Sequence, residues 1–564
     1  MRDMRNALQT SAGPLRFAIE ARRLRILFVN PIVRYFDYPR HVPIGILQLL
    51  AILERDYPRI QFQLYDANAH RVDDVARGTF PGLSRILLDD QYDIIAIGGL
   101  ITAYNYIRQA LRLAKQIQPH AATMAGGGFF SAIPNDIMEL IPEIDYGIIG
   151  EAYQTLPELI QAHEAQQEPK HVRGIVYRNG NELVWTDPRE LIPDMDWLPF
   201  PAYKYAPLEI YFQHSGILMS EEAMKAKKRL DACMSLSCPF ICRFCWDLGI
   251  TSIRGLKKDT PGRVDVAAGR PGKESIVRQH SAEYIGRYIQ HLRASFSEIP
   301  YGEGGEGIGY PIDFVAWVDE NIVAHDVQTG RTWLREIEDE LWRRGLIAEC
   351  LQKGVRHDAK ECSGPHFGGT SHAGLATKEL LTTLKRIGFT YLDYGLEHFS
   401  RRMLQQLGKG ASPESNARAI TLTLQAGIAP IPNQIIMMPG ETWESLNEML
   451  DAWEKTGIVN MPFICTPYPG AEWYEKYKPW ILEQYGNSLE VFIRDLEDAT
   501  KVTALLTRDF SPAEAVGIQH IFGQAAKTGD FKNARRLLQL SEACHVAQGQ
   551  ALQTSRYPVS ASAQ

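Results

Sequence analysis

Long apolar runs are missing from this chain. No stretch of about 18 apolar residues occurs in its 564 residues, which excludes a membrane-spanning helix. The opening stretch, Met1 to Arg25, scatters its charges and has no apolar h-region, so it does not read as a secretory signal. An excess of positive charge is missing too. The formal net charge is −7, which argues against a broad nucleic-acid-binding face. Cysteine is sparse, at eight residues, too few for a disulfide framework in so long a chain. Hydrophobic residues at 45% and charged residues at 23% describe an ordinary globular composition. The length calls for roughly three or four domains rather than one core. The expectation is a cytoplasmic protein with neither a membrane nor a nucleic-acid partner.

The cysteine that is present is concentrated. Cys238, Cys242 and Cys245 stand in Ser-Leu-Ser-Cys-Pro-Phe-Ile-Cys-Arg-Phe-Cys-Trp, a C-x3-C-x2-C spacing within a short loop. Thiolates are the natural ligands of iron–sulfur clusters, and three of them on a four-iron cluster leave one iron open. A structural zinc ion takes four closed ligands, and no second pair with finger spacing follows. Unrelated buried cysteines usually occur singly rather than in a tight triplet. Phe244 and Trp246 flank the third thiol and would shelter a cluster.

The triplet resembles the cluster loop of the radical S-adenosylmethionine (SAM) superfamily, in which the open iron chelates the amino and carboxylate groups of SAM. The resemblance implies a [4Fe–4S] cluster on Cys238, Cys242 and Cys245, bound SAM, and an electron donor such as a flavodoxin or ferredoxin.

Upstream of the triplet the pattern is strand, helix, strand. Residues 1–24 read as a leader. Apolar runs at 25–31, 61–66, 93–98, 121–125 and 145–150 read as buried parallel strands, with helices over 43–53, 104–116 and 151–162 between them. Such alternation predicts a doubly wound, Rossmann-like α/β sheet with its ligand at the carboxyl ends of the strands. Gly126, Gly127 and Gly128 follow the fourth strand, where the lack of a Cβ permits close approach to the backbone. In this order the segment resembles the cobalamin-binding domain that precedes the radical SAM domain in one large subgroup. The resemblance assigns cofactor contacts to Asn30 and Pro31, the Asp66 loop, Thr102 and Tyr104, the glycine triplet with Pro134, and Gly150 with Glu151. Many such domains carry Asp-x-His-x-x-Gly, whose histidine ligates cobalt. Here the loop is Asp-Ala-Asn-Ala-His-Arg, with His70 four residues after Asp66. Either no protein group lies below the metal, or His70 or Arg71 faces it. A cation there could not donate to cobalt and would disfavour the six-coordinate state, giving Arg71 a catalytic role. The plainer reading is that both are ordinary surface residues.

Residues 165–230 read as a connector, with a β-hairpin turning at Asn179-Gly180 and a Pro-rich aromatic stretch at 194–201. Residues 231–475 resemble the radical SAM domain, a partial (βα)6 barrel with its chemistry at the strand carboxyl ends. Its expected strands end at Asp319, at Glu397 with Ser400 beyond it, at Pro439-Gly-Glu-Thr442, and at Phe463–Gly470. The resemblance gives Asp319, Glu397, Ser400 and Pro439 contacts with the SAM side of the site. In the family pattern a serine directly follows the glutamate; here His398 intrudes. Residues 249–274 read as an insertion over the cluster, from which Glu274 could approach the open iron or the substrate; the plainer reading is a solvated carboxylate. Residues 353–374 carry three histidines and Cys362 without metal spacing and read as a substrate loop. Residues 476–550 read as helical and 551–564 as a polar tail.

Together the resemblances imply methyl transfer. Cobalamin takes a methyl from SAM and passes it to a carbon of a small molecule. Two routes stay open: hydrogen abstraction by a 5′-deoxyadenosyl radical, or direct attack by a nucleophilic carbon such as an indole. The altered Asp66 loop and the insertion lean toward the second, and resemble the tryptophan 2-methyltransferases of thiopeptide antibiotic biosynthesis. A cobalamin-dependent cyclase or ring-rearranging oxidoreductase would share every motif. A corrinoid or cluster sensor is the non-enzymatic alternative.

Overall fold

The computed structural model describes residues 23–33, 38–240, 242–245, 277–302, 306–324, 326, 332–347, 364–497 and 503–555. Two sheets organise them, and both are built where short apolar runs alternate with amphipathic helices.

The first sheet comprises β1 (Arg25–Asn30), β2 (Gln61–Asp66), β3 (Ile94–Gly98), β4 (Ala122–Gly126), β5 (Tyr146–Ile148), β6 (Ile175–Asn179) and β7 (Glu182–Trp185), in the order β2-β1-β3-β4-β5-β6-β7. Strands β1 to β5 are parallel, while β6 and β7 join antiparallel at one edge. The hairpin placed in the connector by the sequence therefore extends this sheet. Helices Tyr104–Ile117 and Ala152–Glu164 and the helix Ile44–Asp56 pack on it. The order turns back at β1 and β3, so a crevice opens beyond their carboxyl ends. There Gly98, Gly99 and Gly127 let β3 and β4 touch backbone to backbone. A Cβ on Gly127 would lie 3.0 Å from the Gly99 nitrogen and oxygen, and Phe129 N donates to Gly99 O at 2.9 Å.

The second sheet comprises β8 (Arg229–Ala232), β11 (Phe314–Trp317), β12 (His366–Ser371), β13 (Phe389–Glu397), β14 (Ala429–Ile436) and β15 (Phe463–Ile464), all parallel and in sequential order. This is the expected partial (βα)6 barrel. Between β8 and β11, the short β9 (Ser235–Leu236) pairs antiparallel with β10 (Arg278–Gln279). Part of the expected substrate loop is in fact β12, a central strand. Its sequence, His-Phe-Gly-Gly-Thr-Ser, has too little apolar alternation to announce a strand. The glycine at 368 is required, because a Cβ there would fall inside the Tyr391 ring.

Alternate residues of the strands face opposite sides. Leu230, Val315, Trp317, Phe367, Phe389, Leu392 and Tyr394 pack outward against the helices. Phe314, Ala316 and Tyr391 face inward, where Ile217 and Ala223 from the preceding segment plug the amino end of the barrel. Phe314 and Tyr391 stack at 5.9 Å. Two further helices, Pro512–Thr528 and Phe531–Ser555, pack at the carboxyl end of the chain, the latter against Trp443–Thr456. The last helix runs past residue 550, where the sequence suggested a tail. No helix among the described residues is long and apolar enough to cross a membrane.

Because Tyr391 fills the space over Gly368, Gly368→Ala must push the ring out of the plug. Overpacking of this kind costs about 1–3 kcal/mol. Denaturant unfolding should show that loss, and Gly150→Ala, where open space surrounds the site of the Cβ, should show less of it apart from the strain of its positive φ.

Candidate active site

The cluster loop leaves β9 at Ser237, whose φ of 78° is unusual for a side-chain-bearing residue. Cys238, Cys242 and Cys245 are half-buried and free of disulfides. Burial pushes the Cys242 thiol up to about 12; Lys409 opposes this and Glu397 adds to it. Among the described residues, no three His, Cys, Asp or Glu side chains converge on one metal-ion position. A four-iron cluster asks for something else, since each thiolate binds a different iron.

Contacts from several elements fix the loop and the strand ahead of it from outside. Asp319, just past β11, accepts from Met234 N at 3.1 Å and from Ser235 Oγ at 2.5 Å. Burial holds its carboxyl up at about 6, against the donors' pull. Both oxygens are thus taken up by the start of β9, just ahead of the loop. His372, after β12, stacks on Phe240 at 3.8 Å. Its Nδ1 accepts from Gly374 N at 3.0 Å, which leaves Nε2–H to donate to Lys409 O at 3.0 Å. Burial, then Lys409, hold His372 down at about 4, so the ring is neutral. Arg243 N donates to Leu407 O at 3.0 Å.

Glu397 closes β13 with φ 63° and a register shift against β14. Its carboxylate pairs with the ammonium of Lys409, which also donates to Gly395 O at 2.5 Å. Lys409 is 6% exposed and acts on both Cys238 and Cys242. The sequence had no signal for this partner beyond the Lys-Gly that follows the strand. Ser400 N donates to His398 Nδ1 at 2.8 Å, and Ser400 Oγ is buried without a partner among the described residues. Pro439 sits in a turn between Met437, φ 62°, and Gly440, φ 77°. Strained backbone therefore collects at the carboxyl ends of β9, β13 and β14, where such strain has to be held by its surroundings.

Across the crevice, the first sheet presents its own strand ends. Asp66 is buried and saturated: Asn30 Nδ2 and Tyr211 OH each donate at 2.7 Å, and Ala69 N at 3.0 Å. The Asp66 loop is a helical turn, Ala67–His70, closed by Arg71 at φ 51°. His70 is exposed and lies alongside Tyr65. Arg71 folds back on Asn68, with Nε 2.9 Å from the carbonyl, and lies within electrostatic reach of His214. The hydroxyls of Thr102 and Tyr104 are buried with no partner among the described residues. Pro31 lies against Gly99. Gly126 ends β4, Gly128 opens a short helix, and Gly150 N donates to Ser131 Oγ at 2.9 Å. Glu151 forms a buried ion pair with Arg278 on β10, whose Nη1 reaches Oε2 at 3.0 Å. Glu274 lies outside the described residues.

These features fit the expected groups. Half-buried thiols on a strapped loop suit a cluster, orphaned buried hydroxyls and open glycine turns suit a large polar cofactor, and Ser400 Oγ awaits a polar ligand.

A buried carboxyl just past the end of β14 makes the stability of this region pH-dependent. Glu441 is fully buried, accepts from Ser445 Oγ and lies 3.5 Å from His398 Nε2. Burial raises it from 4.5 to about 7 and holds His398 down at about 3. A raised carboxyl stabilises the fold fully below its unfolded value, and this is lost as pH climbs through the folded one. Thermal unfolding of wild type should fall relative to Glu441→Gln between pH 4.5 and about 7, with no further divergence above.

A B12 binding domain model matches residues 37–160, and a radical SAM superfamily model matches residues 233–452. An uncharacterized methyltransferase of Pyrococcus horikoshii is 22% identical over 401 residues, 70% of this chain and 72% of that protein. An anaerobic magnesium-protoporphyrin IX monomethyl ester cyclase of Cereibacter sphaeroides is 22% identical over 400 residues, 69% of this chain and 53% of its own. The fold matches that of the radical SAM methyltransferase TsrM of Kitasatospora setae, solved with tryptophan and a SAM analog. The TM-score is 0.56 at 16% identity, covering 82% of this chain and 76% of that one. It also matches OxsB, a cobalamin-dependent SAM radical enzyme solved with aqua-cobalamin and SAM, at TM-score 0.55 and 17% identity over 82% of this chain and 56% of that one. The two models together cover more than half of the chain, in tandem on a shared fold, and the chain belongs to the B12-binding radical SAM enzymes, whose cofactors are a [4Fe–4S] cluster, SAM and cobalamin.

Proposed function

We propose that this enzyme is a cobalamin- and SAM-dependent C-methyltransferase acting on a small molecule, with C2 of tryptophan as the acceptor to test first. The observation that carries the reading is the joint between the sheets. The Glu151–Arg278 pair ties the end of β5 to β10, and β10 pairs with β9, two residues ahead of Cys238. The two ligand-binding edges therefore face one space. When bound there, the cofactors supply the electron and the methyl group.

The chain's own residues do the rest. Cys238, Cys242 and Cys245 hold the cluster, while Asp319 and His372 position their loop. Glu397, Ser400 and Pro439 line the SAM side. Asn30, Pro31, Thr102, Tyr104, Gly126, Gly127, Gly128, Gly150 and Glu151 form the cobalamin side, and of the two candidates below the metal, Arg71 is favoured over the exposed His70. Methylating an indole carbon replaces a C–H, so the released proton needs an acceptor; the SAM carboxylate or a protein carboxylate such as Glu274 can serve. The proposed division of labour is a cobalamin domain over 25–164, whose sheet the hairpin of the connector over 165–230 extends, a radical SAM domain over 231–475, whose first strand β8 starts at Arg229, and a helical region over 476–550. A flavodoxin or ferredoxin is the proposed electron donor. The cyclase relative, aligned over 69% of this chain, supports a second reading as a cyclase or ring-rearranging oxidoreductase.

The test is anaerobic reconstitution with iron, sulfide and cobalamin, followed by methyl-labelled SAM and tryptophan. Labelled methyltryptophan without stoichiometric 5′-deoxyadenosine is the expected product. Reductant-dependent 5′-deoxyadenosine with no methyltryptophan would move the search to an unactivated-carbon substrate or a cyclisation. Cys242→Ser should lose the visible absorption of the cluster together with turnover.

A further inference from the structure

The inward-facing side chains of the barrel form layers, read along the strand register. One layer joins Asp231, Ala316, Gly368, Tyr391 and Ala429, one step above the layer of Arg229 and Phe314. Tyr391 closes it, with the plug beneath. One step toward the mouth, Asp393 stands level with Thr370 and Ile431. All three are half-buried, and Val318, one step beyond Ala316 on the inward side, is 40% exposed. The barrel is thus open above Tyr391, with apolar walls at Val318 and Ile431. Its roof is the Lys409–Glu397 pair, which occupies the place of a side chain over Gly395.

Among the described residues, the charges in this space are matched, with one exception. Arg229 pairs with Asp231, which also accepts from His41 Nδ1 at 3.0 Å when that ring is protonated there. Lys409 pairs with Glu397. Asp393 receives a hydrogen bond from Asn433 Nδ2 and forms no ion pair among the described residues. Lys409 acts on it from beyond ion-pairing distance while Glu397 opposes, and burial leads in holding the carboxyl up at about 6. An ion in such a place is costly without a partner.

We propose that Asp393, oriented by Asn433, is the ligand-binding carboxylate of the barrel interior and takes a protonated amine carried by a small molecule with an apolar body. The inference rests on the methyltransferase reading for the identity of the substrate, but not for the presence of the site. Two ligands could bring the amine: the acceptor substrate, or SAM through its α-amino group. We assign it to the acceptor, because the apolar walls at Val318 and Ile431 suit a hydrocarbon or aromatic body beside the charge.

The experiment compares wild type with Asp393→Asn, which keeps shape and removes charge, and with Asn433→Ala, which removes only the orienting donor. Both are reconstituted with cluster and cobalamin and titrated anaerobically with SAM, tryptophan and indole-3-propionate, the last lacking the amine. A charge-assisted contact predicts that Asp393→Asn weakens tryptophan about tenfold or more. SAM and indole-3-propionate should change little, and Asn433→Ala should give an intermediate loss. Weakened SAM with unchanged tryptophan would support the carboxylate but move the amine to SAM. Equal affinity of wild type and Asp393→Asn for both ligands overturns the proposal, as does a wild type that does not bind tryptophan and loses no SAM affinity on substitution. Tryptophan that binds through Asp393 but is not methylated would sink the tryptophan methylation reading while leaving the site standing.

Discussion

The joint between the two sheets depends on a buried ion pair. Arg278 and Glu151 have side chains only 11% exposed, and Arg278 also donates to Ile192 O at 3.0 Å. Such a pair adds little net stability compared with apolar packing, but removing one partner strands a charge and costs about 3–5 kcal/mol. Its value here is geometric. It fixes β10, hence β9, hence the entry of the cluster loop, relative to the end of β5. The second tie, Tyr211 OH to Asp66, and the third, Arg229 Nη1 to Arg40 O at 3.0 Å, hold the same joint at other strands. A cavity for reactive chemistry has to exclude water between domains that would otherwise rock apart.

Strain and polarity concentrate on the inner side of this joint. Ser237, Glu397 and Met437 all have left-handed backbone at strand ends, and each is followed by residues of the candidate site. Outside the barrel the same strands pack mainly apolar side chains against helices, with Gln434 and the Tyr394 hydroxyl hydrogen-bonded to Trp453 and Thr423 of those helices. This separation follows from the period of two along a strand: one face builds the core, and the other is left to hold charge. Inside, pairs such as Lys409–Glu397 and Arg229–Asp231 satisfy that charge locally, so that a few groups remain for ligands. The orphaned hydroxyls of Thr102, Tyr104 and Ser400 mark the same economy on both sides of the crevice.

Much of the fold was legible because parallel strands buried on both faces read as short apolar runs. The runs at 25–31, 61–66 and 93–98 became β1, β2 and β3 with boundaries close to those expected. Two barrel strands were not legible. β8 begins with Arg229 and carries Asp231, both inward-facing and paired with each other, so its sequence looks like a surface segment. β12 needs Gly368 because Tyr391 crosses over it, and the histidines and Cys362 of 353–374 suggested a loop. The hairpin at β6 and β7 was recognised, but its attachment to β5 is a matter of edge pairing that no local pattern records.

The sequence by itself determined the chemistry. Three thiols at C-x3-C-x2-C specify a cluster loop, and alternating strands and helices with glycines at strand ends specify the kind of sheet, because ligand spacing and backbone freedom are local properties; cobalamin and SAM follow from the family resemblance that these motifs carry. Only the tertiary structure decided which polar residues serve the scaffold and which face the cavity. Asp319 spends both oxygens on Met234 and Ser235 ahead of the cluster loop, and Asp66 is saturated by Asn30, Tyr211 and Ala69, whereas Asp393, unremarked in sequence, is left facing the open barrel. The reason is physical: a carboxylate's role is set by its partners, and those partners lie tens to hundreds of residues away along the chain.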